Sequence, residues 1–170
     1  MSAAERDAIL VIKLGALGDV MMATPLLRAI VGRHAGAPVW LLTTPAFAPL
    51  FAAWESLRVH AFDRRSTRAL LGTIRWVRRL RPARVYDLQG NDRSAVLTAL
   101  SGAPVRVGNH ARFPYTHHPA APWRGQTHIF ERMLEVLAAA GVDLVDRAPV
   151  LPAGPRTREQ VTRWLATHGL

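Results

Sequence analysis

One carboxylate, Asp19, directly follows two closely spaced glycines, an arrangement that suits either a reactive group or a helix cap. The segment from Gly15 to Asp19 comes after an apolar run that ends at Lys13. Glycines allow a tight turn between a strand and a helix, and they let a ligand approach the backbone. An acid at a helix start either caps the helix and offsets its dipole or takes part in proton transfer. Both roles stay open for Asp19 on its residue type alone.

Two familiar nucleotide-binding loops do not fit this turn. A phosphate loop needs Gly-Lys-Ser/Thr, and no such sequence follows Gly18. A dinucleotide fingerprint needs three glycines and a later acid after the second strand. Here the spacing is G-x-x-G, and the second predicted strand ends in threonines and Pro45. The sequence therefore disfavours a nucleotide-dependent oxidoreductase or a flavodoxin-like domain.

The turn sits in a chain of alternating strand-like and helix-like segments, which predicts an α/β fold. The fold class is a Rossmann-like parallel sheet with helices on both faces, whose carboxyl edge binds ligands. The predicted strands cover residues 9–13, 39–43, 59–62, 84–88 and 105–108. The predicted helices cover residues 19–33, 45–53, 66–80, 93–100, 127–140 and 157–168. An irregular stretch, 109–126, separates the last strand from the helix that follows.

Pro25 lies inside the first predicted helix and has two interpretations. Either Thr24 caps a helix that starts at Pro25, or the helix begins near Asp19 and bends. The bend is favoured because residues 20–23 are poor loop formers, and it places Thr24 and Arg28 outside the buried face. In the helix over 66–80, four apolar residues are predicted to point inward: Leu70, Leu71, Ile74 and Val77.

Composition indicates one domain without disulfides. The chain has 170 residues, 49% of them hydrophobic, and no cysteine. No window approaches the roughly 18 apolar residues of a membrane span. The acidic start is unlike a secretory signal. These features favour a cytoplasmic protein.

The charge favours an anionic partner. The formal net charge is +10, and Lys13 is the only lysine beside 21 arginines. Guanidinium groups bind carboxylate and phosphate in a bidentate manner. Nucleic acid, an anionic membrane face or a phosphorylated sugar would each suit, and a compositional bias towards arginine would also produce this excess. Nucleic acid is disfavoured because aromatic residues make up only 7% and no recognised motif is present.

Residues 13–29, KLGALGDVMMATPLLRA, resemble the opening of the heptosyltransferases of glycosyltransferase family 9. Further matches follow in the family's order over nearly the whole chain. They are PAFAPL at 45–50, FDRR at 62–65, YDLQGNDRSA at 86–95, SGAPVRVG at 101–108 and HIFER at 128–132. The Gly-Asp turn together with the Asp-Leu-Gln-Gly-x-x-Arg-Ser segment makes the resemblance specific.

The resemblance implies the N-terminal half of a GT-B type glycosyltransferase. Residues 1–148 would form a Rossmann-like acceptor-binding domain, and 149–170 a linker and terminal helix leading towards a nucleotide-sugar-binding domain that this chain lacks. The implied reaction is inverting transfer of heptose from ADP-heptose to the Kdo-containing lipopolysaccharide inner core, with the isolated chain inactive. No cofactor is implied, because ADP-heptose is a substrate held mainly by the second domain. The implied location is cytoplasmic, at the face of the inner membrane.

The resemblance also assigns residues. Asp19 becomes the general base, although a helix N-terminus stabilises the charged form of a carboxylate and so makes it a weaker base. The acceptor-binding residues are Lys13, Gly15, Gly18, Arg64, Arg65, Arg68, Gln89, Arg93, Ser94 and Arg112. No metal site is expected, because neither His128 with Glu131 nor His117 with His118 has a third ligand at suitable spacing.

Structural alternatives accompany these assignments. Lys13 could instead extend into solvent at the sheet edge, and the arginines could form ordinary surface. The segment before Arg93 could be a simple helix start capped by Asn91 or Asp92. A different class of function, a non-catalytic basic module that binds an anionic partner such as nucleic acid, remains as the alternative.

Overall fold

Five short strands form one parallel sheet in the computed structural model, which describes residues 7–122 and 125–169. The strands are β1 (Ile9–Ile12), β2 (Val39–Thr43), β3 (Leu57–Ala61), β4 (Arg84–Asp87) and β5 (Val105–Val107). Their order is β3-β2-β1-β4-β5, and every neighbouring pair is parallel. All five carboxyl ends therefore lie at one edge, with β1 in the centre.

Helices cover both faces of this sheet, as the sequence predicted. They are α1 (Leu17–Met22), α2 (Thr24–Arg33), α3 (Thr67–Leu80), α4 (Asp92–Leu100), α5 (Ile129–Ala138) and α6 (Pro155–Thr167), with a 3-10 turn at Ala48–Phe51. Successive β1 side chains alternate between two buried clusters: Ile9 and Val11 join one, and Leu10 and Ile12 the other. The α/β prediction with helices on both faces is confirmed.

The helix that contains Pro25 is broken rather than continuous. Helix α1 ends before Ala23, and α2 starts directly after it. Pro25 has no N–H for the carbonyl of Met21, and the Thr24 hydroxyl donates to that carbonyl instead, at 2.7 Å. The same hydroxyl accepts from the Val150 amide at 2.9 Å. The helical start near Asp19 is confirmed, but the chain forms two helices interrupted at Ala23 instead of one bent helix. The placement of Thr24 outside the buried face is wrong, since the residue is 0% exposed.

Helix α3 crosses one face of the sheet and begins with a side-chain cap. The Ser66 hydroxyl accepts a hydrogen bond from the Ala69 amide at 3.1 Å. Within α3, Thr73 and Val77 are buried, whereas Leu71 is 50% exposed. The inward prediction for Leu71 is wrong, because its position three residues after Arg68 puts it on the arginine-bearing face.

Helix α6 packs on little of the described chain. None of its residues is buried, and its predicted apolar stripe of Val161, Trp164 and Leu165 is exposed. An open groove of about 950 Å³ lies where the 151–158 segment meets residues 49–55. None of the predicted site residues lines that groove. No described helix is both long enough and apolar enough to cross a bilayer.

Candidate functional site

An ion pair between Lys13 and Asp19 occupies the carboxyl edge of the central strand. Lys13 directly follows β1 and is only 1% exposed. Its Nζ lies 3.5 Å from Asp19 Oδ2 and donates to the Leu88 carbonyl at 3.4 Å. Burial lowers the pKa of Lys13, and the Asp19 charge opposes that shift. Lys13 therefore does not extend into solvent.

Asp19 lies in the first turn of α1, with its side chain 33% exposed. Among the described residues no amide at the start of α1 donates to its carboxylate, and the N-cap residue of the helix is Ala16, which makes no side-chain cap. Asp19 therefore does not cap helix α1 through a hydrogen bond. Its carboxylate instead lies 3.5 Å from the Lys13 ammonium and is partly open to solvent.

The two glycines of the turn have different structural roles. Gly15 is buried with φ +145°, a conformation that residues with side chains rarely adopt, and an added Cβ would lie 3.1 Å from the Phe47 ring. Gly18 is exposed within α1, where an added Cβ would meet nothing within 4 Å. The fold thus requires glycine at 15 but not at 18, and both remain predicted acceptor-binding positions.

A second carboxylate, Asp87, lies beneath this site, and the sequence prediction missed it. It is the last residue of β4, aligned with Ile12 of β1, and is 1% exposed. Its Oδ1 accepts from the amides of Gln89 (3.0 Å) and Gly90 (2.9 Å). Its Oδ2 accepts from the hydroxyl of Tyr115 at 2.5 Å. Burial raises the pKa of Asp87, and these hydrogen bonds oppose the shift.

Tyr115 reaches Asp87 from the irregular loop after β5, which several contacts hold in place. The Gly108 amide donates to the His117 carbonyl at 3.0 Å, and Arg106 Nε donates to the Pro114 carbonyl at 2.5 Å. The Tyr115 ring is 7% exposed, and burial beside the Asp87 carboxylate raises its pKa. Tyr115 is therefore a neutral donor to Asp87 near neutral pH.

Gln89 and Gly90 form the turn that leaves β4. The Gln89 side-chain oxygen accepts from the Leu14 amide at 2.8 Å, which ties this turn to the exit of β1. Gly90 has φ +66°, and an added Cβ would lie 2.5 Å from Asn109 Nδ2. The hydrogen bond between Leu14 and Gln89 places this predicted acceptor-binding residue directly beside the turn that carries Asp19.

Helix α4 starts with a capping box. Asn91 is its N-cap, as the structural alternative predicted. The Asn91 side chain accepts from the Ser94 amide, and Ser94 Oγ accepts from the Asn91 amide, both at 3.0 Å. Ser94 is fully buried, whereas Arg93 is exposed. Ligand binding by Ser94 would require this cap to open, while Arg93 is accessible as it stands. Both assignments stay predictions.

The remaining predicted arginines flank the ion pair from opposite sides. Arg64, Arg65 and Arg68 follow β3, and Arg112 follows β5. These are the two outer strands, which lie on opposite sides of β1. All four side chains are exposed, and among the described residues none of their guanidinium groups lies within 4.0 Å of a carboxylate.

This arrangement combines the Asp19 carboxylate, paired with a buried ammonium, and four exposed arginines, which we call the arginine rim: Arg64, Arg65, Arg68 and Arg112. The carboxylate can accept a proton from a hydroxyl, and the rim can bind carboxylate or phosphate groups. Within residues 7–122 and 125–169, no three His, Asp or Glu side chains are grouped as metal ligands. The chemistry best served is proton removal from the hydroxyl of an anionic ligand.

Three solved structures share this fold. A family 9 glycosyl transferase from Veillonella parvula DSM 2008 matches with a TM-score of 0.72 and 21% identity over 98% of this chain and 51% of its own. The ADP-heptose LPS heptosyltransferase II of E. coli matches with a TM-score of 0.69 and 19% identity, over 94% of this chain and 50% of its own. The E. coli heptosyltransferase WaaC, solved with ADP, matches with a TM-score of 0.60 and 22% identity, over 81% and 48%.

These likenesses establish the fold. This chain spans about half the length of the solved structures that it matches. No protein-family model matches its sequence, and no curated protein matches it significantly. The Rossmann-like fold is therefore one that occurs in heptosyltransferases of glycosyltransferase family 9.

Proposed function

We propose that this chain is the acceptor-binding half of a heptosyltransferase-like, inverting glycosyltransferase. The reaction is transfer of heptose from ADP-heptose to the Kdo-containing inner core of lipopolysaccharide. The observation that carries the proposal is the Lys13–Asp19 pair, 3.5 Å apart at the carboxyl edge of the central strand. The fold shared with family 9 structures and the motif resemblance over nearly the whole chain support it.

In the proposed reaction Asp19 is the catalytic residue. Its carboxylate takes the proton of the acceptor hydroxyl as that oxygen attacks the anomeric carbon of heptose. The new carbon–oxygen bond forms on the face of the anomeric carbon opposite to ADP. The bond between that carbon and ADP breaks, and ADP leaves with the bonding electron pair, so the configuration inverts. Lys13, 3.5 Å away, holds this carboxylate in position. A positioned general base contributes roughly 10²–10⁴-fold to the rate.

The arginine rim is proposed to bind the acceptor. Kdo sugars carry carboxylates, and exposed guanidinium groups bind these in a bidentate manner. Arg64, Arg65 and Arg68 would contact the acceptor from the β3 side and Arg112 from the β5 side. Gln89, Arg93 and Ser94, with the turn glycines, would complete the acceptor site.

The donor is proposed to bind mainly outside this chain. The matched structures are about twice as long as this chain, and one of them, the E. coli heptosyltransferase WaaC, was solved with ADP. A second domain would therefore supply most of the ADP-heptose contacts, and the isolated chain would bind acceptor without transferring sugar. We propose that the protein acts at the cytoplasmic face of the inner membrane, with which it associates peripherally.

Calorimetric titration with a Kdo-containing lipid A analogue tests this proposal. We expect the chain to bind the analogue and not to bind ADP-heptose measurably. Replacing Arg64 and Arg65 by glutamine should weaken acceptor binding about tenfold, equivalent to about 1.4 kcal/mol. The Asp19→Ala variant should still bind, because its carboxylate acts on the proton rather than on affinity.

A matched double substitution, Arg78→Gln with Arg79→Gln, controls for net charge. It removes the same charge from the opposite end of α3 and should leave acceptor affinity within about twofold. Equal losses in both double variants would show non-specific attraction and contradict the proposed site. Sugar transfer by the isolated chain would contradict its incompleteness. Retention of DNA in place of the acceptor would support the basic binding module.

A further inference from the structure

The loop after β5 carries Arg112, the one member of the arginine rim on that side of the sheet. Residues 108–116 form neither helix nor strand, and the Arg112 side chain is exposed. Ordering a mobile loop at the moment of binding costs free energy, so an arginine there binds well only if its backbone is already held in place. The contacts of residues 109–115, which we call the Arg112 loop, therefore decide what Arg112 can do.

Two hydrogen bonds hold the backbone of Arg112, and both lead to Tyr115. The Arg112 carbonyl accepts from the Tyr115 amide at 3.3 Å. The Arg112 amide donates to His110 Nδ1 at 3.2 Å. The His110 ring in turn packs edge-on against the Tyr115 ring, with 4.8 Å between the ring centroids. Tyr115 thus supports Arg112 on its amide side and on its carbonyl side.

The far end of the Tyr115 side chain is fixed to the sheet. Its hydroxyl donates to Asp87 Oδ2, at the end of β4, over 2.5 Å. Hydrogen bonds to an ionised acceptor are shorter than neutral ones and about twice as strong. The Tyr115 ring is 7% exposed and fills the space that a Cβ on Gly108 would need. Tyr115 therefore ties an irregular loop to a strand beside the centre of the sheet.

The other groups around Asp87 hold it in place for this contact. Its Oδ1 accepts from the amides of Gln89 and Gly90. The Ser94 hydroxyl also faces Asp87 and donates to the Asn91 carbonyl at 2.8 Å. None of these groups belongs to the Arg112 loop. Among the hydrogen bonds of the described residues, the one from Tyr115 joins Asp87 to that loop.

Arg132 of α5 holds the beginning of the same loop. It is 3% exposed and lines the same small cavity as Asp87. Its guanidinium donates to the Asn109 carbonyl and, at 2.5 Å, to Glu135 Oε2. Its ion pair within the described chain is with Glu135 and not with Asp87. Arg112 thus lies between two anchored points, at residues 109 and 115.

We propose that Tyr115 is a positioning residue for Arg112. Its hydroxyl is anchored on Asp87, its ring supports His110, and its amide holds the Arg112 carbonyl. The guanidinium of Arg112 is thereby presented at the carboxyl edge of the sheet, where it binds a carboxylate of the acceptor. The part played in acceptor binding rests on the proposed function, but the anchoring of the Arg112 loop does not.

Tyr115→Phe removes only the hydroxyl and tests the anchor without a ligand. We expect the amides of residues 112 and 115 to exchange with solvent about tenfold faster, the effect of losing one hydrogen bond to a charged group. The matched control is Tyr86→Phe, since Tyr86 is also buried and its hydroxyl is hydrogen-bonded to His34 at 2.9 Å. That control should leave exchange in the Arg112 loop unchanged. Amide exchange followed by NMR separates this local effect from a loss of overall stability, which would speed exchange in the core strands as well.

His110→Ala covers a failure of Tyr115→Phe to fold, because His110 is exposed. This change removes the acceptor of the Arg112 amide and leaves the hydrogen bond between Tyr115 and Asp87 intact. The Arg112 amide should then exchange faster, while the Tyr115 amide keeps its protection. Equal acceleration at both residues would contradict the arrangement described for the loop.

A double-mutant cycle tests whether Tyr115 acts through Arg112 in acceptor binding. The titrant is the Kdo-containing lipid A analogue, measured by calorimetry. Tyr115→Phe and Arg112→Gln should each weaken binding about fivefold, and the double variant should bind no worse than Arg112→Gln alone. Combined with Arg64→Gln on the β3 side, Tyr115→Phe should instead multiply the two losses. Tyr86→Phe should bind like the wild type.

Each outcome decides the proposal. Loop exchange that is equal in Tyr115→Phe and Tyr86→Phe would overturn it, and so would independent losses of affinity in Tyr115→Phe and Arg112→Gln. The exchange measurement contains no sugar ligand, so its result is separate from the calorimetry. Faster loop exchange in Tyr115→Phe, in a chain whose wild type binds no acceptor, would support the anchor and contradict the proposed function.

Discussion

Lys13→Met should lower the free energy of unfolding by about 1–3 kcal/mol at pH 7. Methionine keeps a side chain of similar length but removes the ammonium that lies 3.5 Å from Asp19 Oδ2, in a residue that is 1% exposed. The Asp19 carboxylate would then lose its ion-pair partner, and the Leu88 carbonyl would lose the hydrogen bond that Lys13 donates. Chemical denaturation followed by circular dichroism measures the loss.

The loss should depend on pH with a definite sign. Burial already raises the pKa of Asp87 above its unfolded value, and loss of Lys13 would raise it further. The folded variant then binds more protons than the unfolded chain between these two values, so its stability falls as pH rises through that range. The deficit relative to wild type should therefore be smaller at pH 5 than at pH 7.

Lys13→Arg is the matched control, since it keeps a cation at the same position. Its stability should lie much closer to wild type than that of Lys13→Met, and its deficit should change little between the two pH values. Equal deficits in the two variants would mean that side-chain packing matters at this position and charge does not. That result would contradict the electrostatic account of the site.

Gly108→Ala should lower the free energy of unfolding by about 3 kcal/mol or more. The added Cβ would overlap the ring of Tyr115, which is 7% exposed and cannot rotate away freely. Displacing that ring would also break the 2.5 Å hydrogen bond from Tyr115 to Asp87. Overpacking costs about 1–3 kcal/mol and a hydrogen bond to a charged group about 1.5–3 kcal/mol, so the two effects together give this size.

The same chemical change elsewhere should have the opposite sign. Gly72 is an exposed interior residue of α3, and an added Cβ there meets nothing within 4 Å. Gly72→Ala should therefore stabilise the chain by about 0.5–1 kcal/mol through helix propensity. Thermal unfolding of both variants against wild type measures the contrast. A Gly108→Ala variant as stable as wild type would show that the Tyr115 ring is not fixed by its surroundings.

The fold was largely predictable from the sequence because its signals are local. The uninterrupted apolar run of β1 predicted a central parallel strand, and the alternation of segments predicted the layers. Errors arose where tertiary contacts decide. The predicted bend placed Thr24 outside the buried face, but its hydroxyl replaces the donor that Pro25 lacks and also binds Val150 from a distant segment.

The candidate site was only partly predictable for a related reason. Lys13 and Asp19 are six residues apart, so their proximity across one turn follows from strand and helix spacing. Asp87 lay within the predicted strand over 84–88 and Tyr115 in an irregular loop, so nothing local linked them. Their hydrogen bond spans 28 residues and depends on the order in which β1, β4 and β5 lie in the sheet.

The burial of Lys13 makes the chain's only lysine a natural reporter of global unfolding. Its amide donates to Leu42 on one side of β1, and the neighbouring Ile12 carbonyl accepts from Leu88 on the other. A lysine-specific protease can reach the following peptide bond only after the central strand separates from both neighbours. Cleavage at this single point is therefore coupled to opening of the whole sheet, and fraying of loops or of α6 does not contribute.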